Sequence, residues 1–366
     1  MDMIDAGGKT LSKRVYVCHT FYHVYIACLK EFYFNDGAGA DLILSKMSNR
    51  FGTMVDRARN CPVFNNVYEF DEKEYTEFPD LVELKTNAGN IVSNMLKRIK
   101  FCKELARHTE ALVPVDMKQY RDIYVFCDSD PIGYYLSYKK IRYHAVEDGL
   151  DCLASYDTAR YDNRGAFKIK AMMAKLGLIH IQNGYGKYCI DMEVNDISKL
   201  KYPTANMVEL PRKKLTERLN SEEKKLLLKL FVANLDELKE RVSTSGGTPT
   251  LLVLTEPLCD METRARIFRD IIDQYGVIDG KKATVLFKQH PRDYLDYKKL
   301  FPDAILLDGT FPMEMLNFID GLSFDRLVSV YTQLDAIQFA KEKILLYDDF
   351  MDKYEAPEIH RQNEAI

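Results

Sequence analysis

The stretch Ala283-Thr284-Val285-Leu286-Phe287-Lys288-Gln289-His290-Pro291-Arg292-Asp293 runs apolar and then breaks abruptly into cation, imidazole, proline and cation. A strand buried on both faces of a parallel sheet has this near-continuous apolar character. Pro291 cannot donate to a strand ladder and disfavours helix at the residue before it, so the strand ends here with His290 at its carboxyl edge. In open α/β sheets that edge is where ligands bind. Lys288, His290 and Arg292 then cluster donors at one point, as a phosphate or a sugar acid requires. A plain strand end with one solvated histidine accounts for the same letters.

The rest of the chain repeats the pattern. Strands are predicted at 14–18, 41–45, 66–70, 122–127 and 142–147, with helical or polar segments between them, the alternation of a doubly wound sheet. Residues 151–215 are read as completing this first domain, 14–215. One strong helix is expected over 222–242, and the Ser/Gly/Pro cluster 243–249 reads as a hinge, so 216–249 forms a linking element. A second alternation follows, with strands at 250–254, 284–288, 304–307, 326–330 and 343–347, giving a smaller domain over 250–348 and a tail over 349–366. Residues 88–112 read as a basic amphipathic helix, a packed surface helix or a contact for an anionic membrane.

Composition excludes several classes. The 366 residues carry a formal net charge of −4, which gives no reason to expect nucleic acid as a partner. Eight cysteines without a C-x-x-C pair argue against a zinc ribbon or a thioredoxin-like centre. With no secretory apolar segment and no run of roughly 20 apolar residues, the simplest account is a reduced, cytoplasmic protein. Gly7-Gly8-Lys9-Thr10 is not a P-loop, since Met3 stands where a glycine is needed and no strand precedes it.

Several residues fall at predicted strand ends. Thr20 follows the first strand and faces the carboxyl edge. Glu147-Asp148-Gly149 closes the strand 142–146, and two adjacent carboxylates are expected to raise each other's proton affinity, which suits a general base. Asp128-Ser129-Asp130 is a D-x-D string that either turns the chain or holds a divalent metal against a nucleotide diphosphate. Asp260 lies on the loop after the strand 250–254, facing the same edge as His290. Ser329 and Thr332 end the strand 326–330, where hydroxyls and amides can take phosphate oxygens or cap a helix.

Together, Thr255-Glu256-Pro257-Leu258, the Lys288 to Asp293 string, Phe311-Pro312-Met313-Glu314 and the Ser329 to Thr332 strand end resemble the carboxyl domain of bacterial sialyltransferases of glycosyltransferase family 52, with Glu147-Asp148-Gly149 matching the acidic motif of the amino domain. The resemblance implies a GT-B architecture of two Rossmann-like domains facing a central cleft, a CMP-sialic acid donor, no required metal or cofactor, and inversion at the anomeric carbon. It implies His290 as acid or charge stabiliser on the departing phosphate, with Lys288, Pro291, Arg292, Glu314, Ser329, Thr332 and Thr20 around the donor. For the base it points to Asp260 first, with Asp148 or Glu147 as the choice suggested by related families. A glycan acceptor such as lipooligosaccharide or capsule, a homodimer, and peripheral attachment to the inner membrane face are further expectations. A bulky tyrosine inside Ser329-Val330-Tyr331-Thr332 leaves the donor open, to a glucosyl or similar sugar, and two rival readings stand beside this one. One is a UDP-sugar transferase using Asp128 and Asp130 with a metal. The other is a module that binds glycan or nucleotide without turnover.

Overall fold

The computed structural model describes residues 12–37, 39–72, 78–154, 157–242 and 247–356. The Gly-Gly-Lys-Thr string at 7–10, residues 243–246 of the expected hinge, and residues 357–366 of the expected tail lie outside them. The chain divides into two compact units, Met1–Asn220 and Ser221–Ile366.

The first unit is built on seven strands: β1 (Ser12–Cys18), β2 (Ala40–Ser45), β3 (Phe64–Phe70), β4 (Tyr120–Phe126), β5 (Tyr143–Val146), β6 (Cys189–Val194) and β7 (Met207–Glu209). All neighbours pair in parallel, in the order β3-β2-β1-β4-β5-β6-β7. Parallel neighbours need crossovers, and the helices that supply them cover the faces. Among these are α1 (Phe21–Phe34), α2 (Ile91–Leu112) and α3 (Pro131–Lys139). Asn90 caps α2 by accepting the Ser93 amide, which starts the predicted amphipathic helix. The chain order reverses direction between β1 and β4, so a ligand crevice is expected beyond the carboxyl ends of those two strands.

The second unit begins with α4 (Ser221–Phe231) and α5 (Leu235–Val242), two helices where one was expected. Asn234 interrupts the run because its side chain accepts the Glu237 amide and starts α5 afresh. Five parallel strands follow, β8 (Thr250–Leu254), β9 (Thr284–Lys288), β10 (Ile305–Leu307), β11 (Phe324–Ser329) and β12 (Ala340–Leu345), in the order β10-β9-β8-β11-β12. Helix α6 (Met261–Tyr275) covers the sheet with Ile267, Phe268 and Ile271 against Phe287 and Tyr297. Here the order reverses between β8 and β11. The edge strand β12 exposes Lys341, Glu342 and Lys343, and on the opposite edge Arg241 of α5 donates to the Leu306 carbonyl of β10.

A buried ionic cluster ties α1 to the first sheet. Arg14 of β1 grips Glu31 at 2.6 Å, and Tyr16 donates to the same carboxylate at 2.6 Å. Lys30, fully buried, pairs with Glu193 of β6 and lies 3.8 Å from the centre of the Tyr124 ring. Burial disfavours the charged lysine and lowers its proton affinity despite Glu193. Truncating one partner of such a pair leaves the other charge uncompensated. Lys30→Ala is therefore expected to cost about 3–5 kcal/mol in urea unfolding, while the double variant Lys30→Met with Glu193→Gln recovers most of that loss.

Candidate functional site

At the carboxyl edge of the second sheet, three loops are wired together. Thr255, directly after β8, donates its amide to the Lys288 carbonyl and accepts the His290 amide on its hydroxyl, at 3.0 Å each. Arg264 of α6 is buried and donates to the carbonyls of Leu258 and Cys259 at 2.7 and 2.9 Å and to Asp293 at 2.7 Å. Asp293 also accepts the Tyr297 hydroxyl. One guanidinium thus fixes the Asp260 loop against the His290 loop.

His290 is partly exposed, and its Nδ1 accepts the Arg292 amide at 3.1 Å, so the neutral ring carries its proton on Nε2. Burial, with Arg292 and Lys288 nearby, lowers its pKa to about 4. At neutral pH it is a hydrogen-bond donor. Arg292 and Pro291 are exposed beside it. Lys288 turns the other way, buried, donating to the Asp308 carbonyl at 2.6 Å, and burial brings its pKa down to about 7. Glu314, half-buried on the short helical segment Met313–Phe318, is raised by burial against the opposing charge of Lys288.

Asp260 is the exposed N-cap of α6. It accepts the Glu262 and Thr263 amides on Oδ1 and the Thr263 hydroxyl on Oδ2. The bonds from Thr263, amide and hydroxyl, hold its carboxyl below the usual range. Ser329 is buried and Thr332 half-buried, and both hydroxyls are engaged within the chain. The Glu256 carboxylate sits among them, accepting the Ser329 hydroxyl at 3.0 Å, the Tyr331 amide at 3.1 Å, the Thr332 amide at 2.7 Å and the Thr332 hydroxyl at 2.6 Å. Burial raises its pKa against these bonds.

In the first unit, the ends of three neighbouring strands also converge. Thr20 caps α1 by accepting the His23 amide at 3.2 Å. The buried His23 accepts the His19 amide on Nδ1 at 3.0 Å and directs Nε2–H to Asp148 at 2.5 Å, stacked on Phe126. Cys127, in the left-handed region with φ 54°, donates its thiol to the same carboxylate oxygen at 3.1 Å. The side chain of Asp148 is 57% exposed. Its surroundings resist ionisation, but the hydrogen bond and charge of His23 outweigh them and hold the carboxyl well below the usual range. The mutual raising expected for Glu147 and Asp148 does not occur. Their side chains part, and Glu147 is buried, accepting the Asn195 amide at 2.7 Å, with its proton affinity raised by burial.

The D-x-D carboxylates diverge as well. Asp128 is buried and accepts the Tyr143 hydroxyl at 2.9 Å and the Asn183 amide at 3.0 Å. Asp130 instead lies 3.4 Å from His19, whose Nε2 meets Glu72 at 2.6 Å. Among the described residues, ligand atoms of His19, His23 and Cys127, and of His19, Glu72 and Asp130, lie within 4.8 Å of one another. His23, Glu72, Cys127 and Arg264 lie in no motif that gives them a role from the sequence alone. The His19 and His23 pair, four apart at the start of a helix after a strand, was the available signal.

A profile of glycosyltransferase family 52 matches residues 73–339. The chain belongs to that family. A protein of Haemophilus influenzae described as uncharacterized is 28% identical over 215 residues, or 57% of this chain and 63% of that protein, so the chain spans less than two thirds of this curated relative. The fold is shared with an α/β-galactoside α-2,3-sialyltransferase of Photobacterium phosphoreum, at a TM-score of 0.52 and 14% identity over 92% of this chain and 91% of that one. The family 52 chain thus has a fold of GT-B type, mixed α/β with parallel sheets.

The buried His19 offers a test of the first unit's wiring. Burial opposes its protonation, but the charge and hydrogen bond of Glu72, with Asp130 and Asp148 behind, raise its pKa to about 9 from 6.5. A raised folded-state pKa gives stability that is complete below 6.5 and lost as pH climbs through 9. Urea midpoints from pH 6 to 10 are expected to fall more steeply for the natural protein than for His19→Gln.

Proposed function

We propose that this family 52 glycosyltransferase is an inverting sialyltransferase, moving sialic acid from CMP-sialic acid to a terminal sugar, galactose, of a bacterial cell-surface glycan. The reading is carried by His290, a neutral imidazole whose Nε2–H has no hydrogen-bond partner among the described residues, at a sheet edge with an exposed arginine two residues on. In the proposed step the acceptor oxygen attacks the anomeric carbon as the bond to the CMP phosphate breaks on the opposite face. His290 donates a hydrogen bond to the phosphate oxygen that takes up the electron pair, and Arg292 faces its charge. Asp260 accepts the acceptor's proton. It is ionised at neutral pH, held rigidly by its cap bonds, and tied through Arg264 and Asp293 to the loop bearing His290.

A second reading for the base is Asp148, favoured by the buried imidazole that holds it ionised and exposed. The two separate in one assay, CMP release from CMP-sialic acid with galactose-terminated acceptors and EDTA present. His290→Ala and Asp260→Asn are each expected to lower turnover by about 100-fold or more, with folding unchanged. If Asp148→Asn gives the large loss and Asp260→Asn the small one, the base is Asp148. Turnover only with a UDP-sugar and a divalent metal would remove the sialyltransferase reading.

No helix among the described residues is long and apolar enough to cross a membrane. Peripheral attachment is proposed through α2, where Ile91 and Val92 are 70% exposed and Leu96 62%, with Lys100 and Lys103 exposed farther along. Co-sedimentation with phosphatidylglycerol vesicles, weakened by added salt and by Lys100→Glu with Lys103→Glu, is the expected result.

A further inference from the structure

The order of strands in the second unit reverses between β8 and β11, and the space beyond those two strand ends is where a Rossmann-like sheet ordinarily seats an anionic group. Here the donors at that spot are spent within the chain. Glu256 follows β8 by two residues and reaches across to the end of β11, where its carboxylate takes two hydroxyls and two amides, from Ser329, Tyr331 and Thr332. Ser329 is fully buried and Glu256 is 7% exposed, while Tyr331 and Thr332 are half-buried. A hydroxyl that donates to Glu256 cannot also donate to a phosphate oxygen. In each of these bonds the Glu256 side chain is the acceptor, the role of a carboxylate.

We propose that Glu256 is a specificity-determining residue that restricts this site to a nucleotide carrying a single phosphate. A nucleoside diphosphate extended toward the reversal point would bring its second phosphate against a carboxylate, with the amides and hydroxyls that could neutralise it already engaged. Like charges placed together at a binding site select against the wrong ligand. A nucleoside monophosphate ends before that point and is met from the neighbouring strand, β9, by His290 and Arg292. The inference deepens the proposed use of a CMP-linked donor and rests on it for the location of the nucleotide, though not for the identity of its base or sugar.

The test compares ligands that differ by one phosphate. Calorimetric titration of the full chain with CMP and with CDP is expected to give tighter binding of CMP, by about tenfold or more. In Glu256→Gln, which keeps the shape and removes the charge, the CDP affinity is expected to rise toward that of CMP. Natural protein that binds CDP as tightly as CMP would overturn the inference without any variant. So would a Glu256→Gln protein that stays folded by its thermal melt and keeps the original preference. Parallel titrations with UMP and UDP separate this from the donor assignment. Preference for uridine over cytidine nucleotides, with the monophosphate still favoured, would sink the CMP donor and leave Glu256 in its role.

Discussion

Every strand of the two principal sheets runs in the same direction as its neighbours, and the chemistry of the molecule follows from that constraint. A parallel pair cannot be closed by a tight turn, so each strand must send the chain through a crossover before the next begins. The loops that leave the strands therefore gather at one edge of each sheet. Thr20, Cys127 and Asp148 meet there in the first unit, and Thr255, Asp260, His290 and Ser329 in the second, although their positions in the chain are far apart.

Gathering alone does not make a site, because loops of this kind wander unless something fixes them. In the second unit the fixing is done by buried charge. Arg264 and Asp293 neutralise each other and spend their remaining capacity on carbonyls and a phenol, while Thr255 and Glu256 bind the loops on either side of β8. In the first unit an imidazole does similar work from inside, holding an exposed carboxylate together with the Cys127 thiol. Both edges thus present ionised carboxylates whose proton affinity is set by hydrogen bonds rather than by neighbouring like charge.

The sequence made the alternation legible because strand and helix periods differ and because Pro291 and Gly149 punctuate it. It also located His290, whose place at a strand end depends only on the proline that follows. Less could be read where side chains choose between two directions. Glu147 and Asp148 are equivalent as letters, yet one is sealed in the core and the other faces outward, a choice made by Asn195 and His23 from distant parts of the chain. Glu256 was legible only as part of a motif, since its partners lie more than seventy residues away. The long helix expected over 222–242 broke at Asn234 for a local reason that its amide-accepting side chain could have signalled.

The edges of the second sheet have a consequence of their own. Open sheets end in strands with unpaired backbone groups, which template further strands and so invite fibre growth between copies. Here Lys341, Glu342 and Lys343 line one margin, and the Arg241 guanidinium occupies a carbonyl on the other. Neither margin offers a clean row of groups for an incoming chain. Crowded copies of this protein are thereby steered away from strand-to-strand polymerisation at this sheet, whatever other surfaces they use to meet.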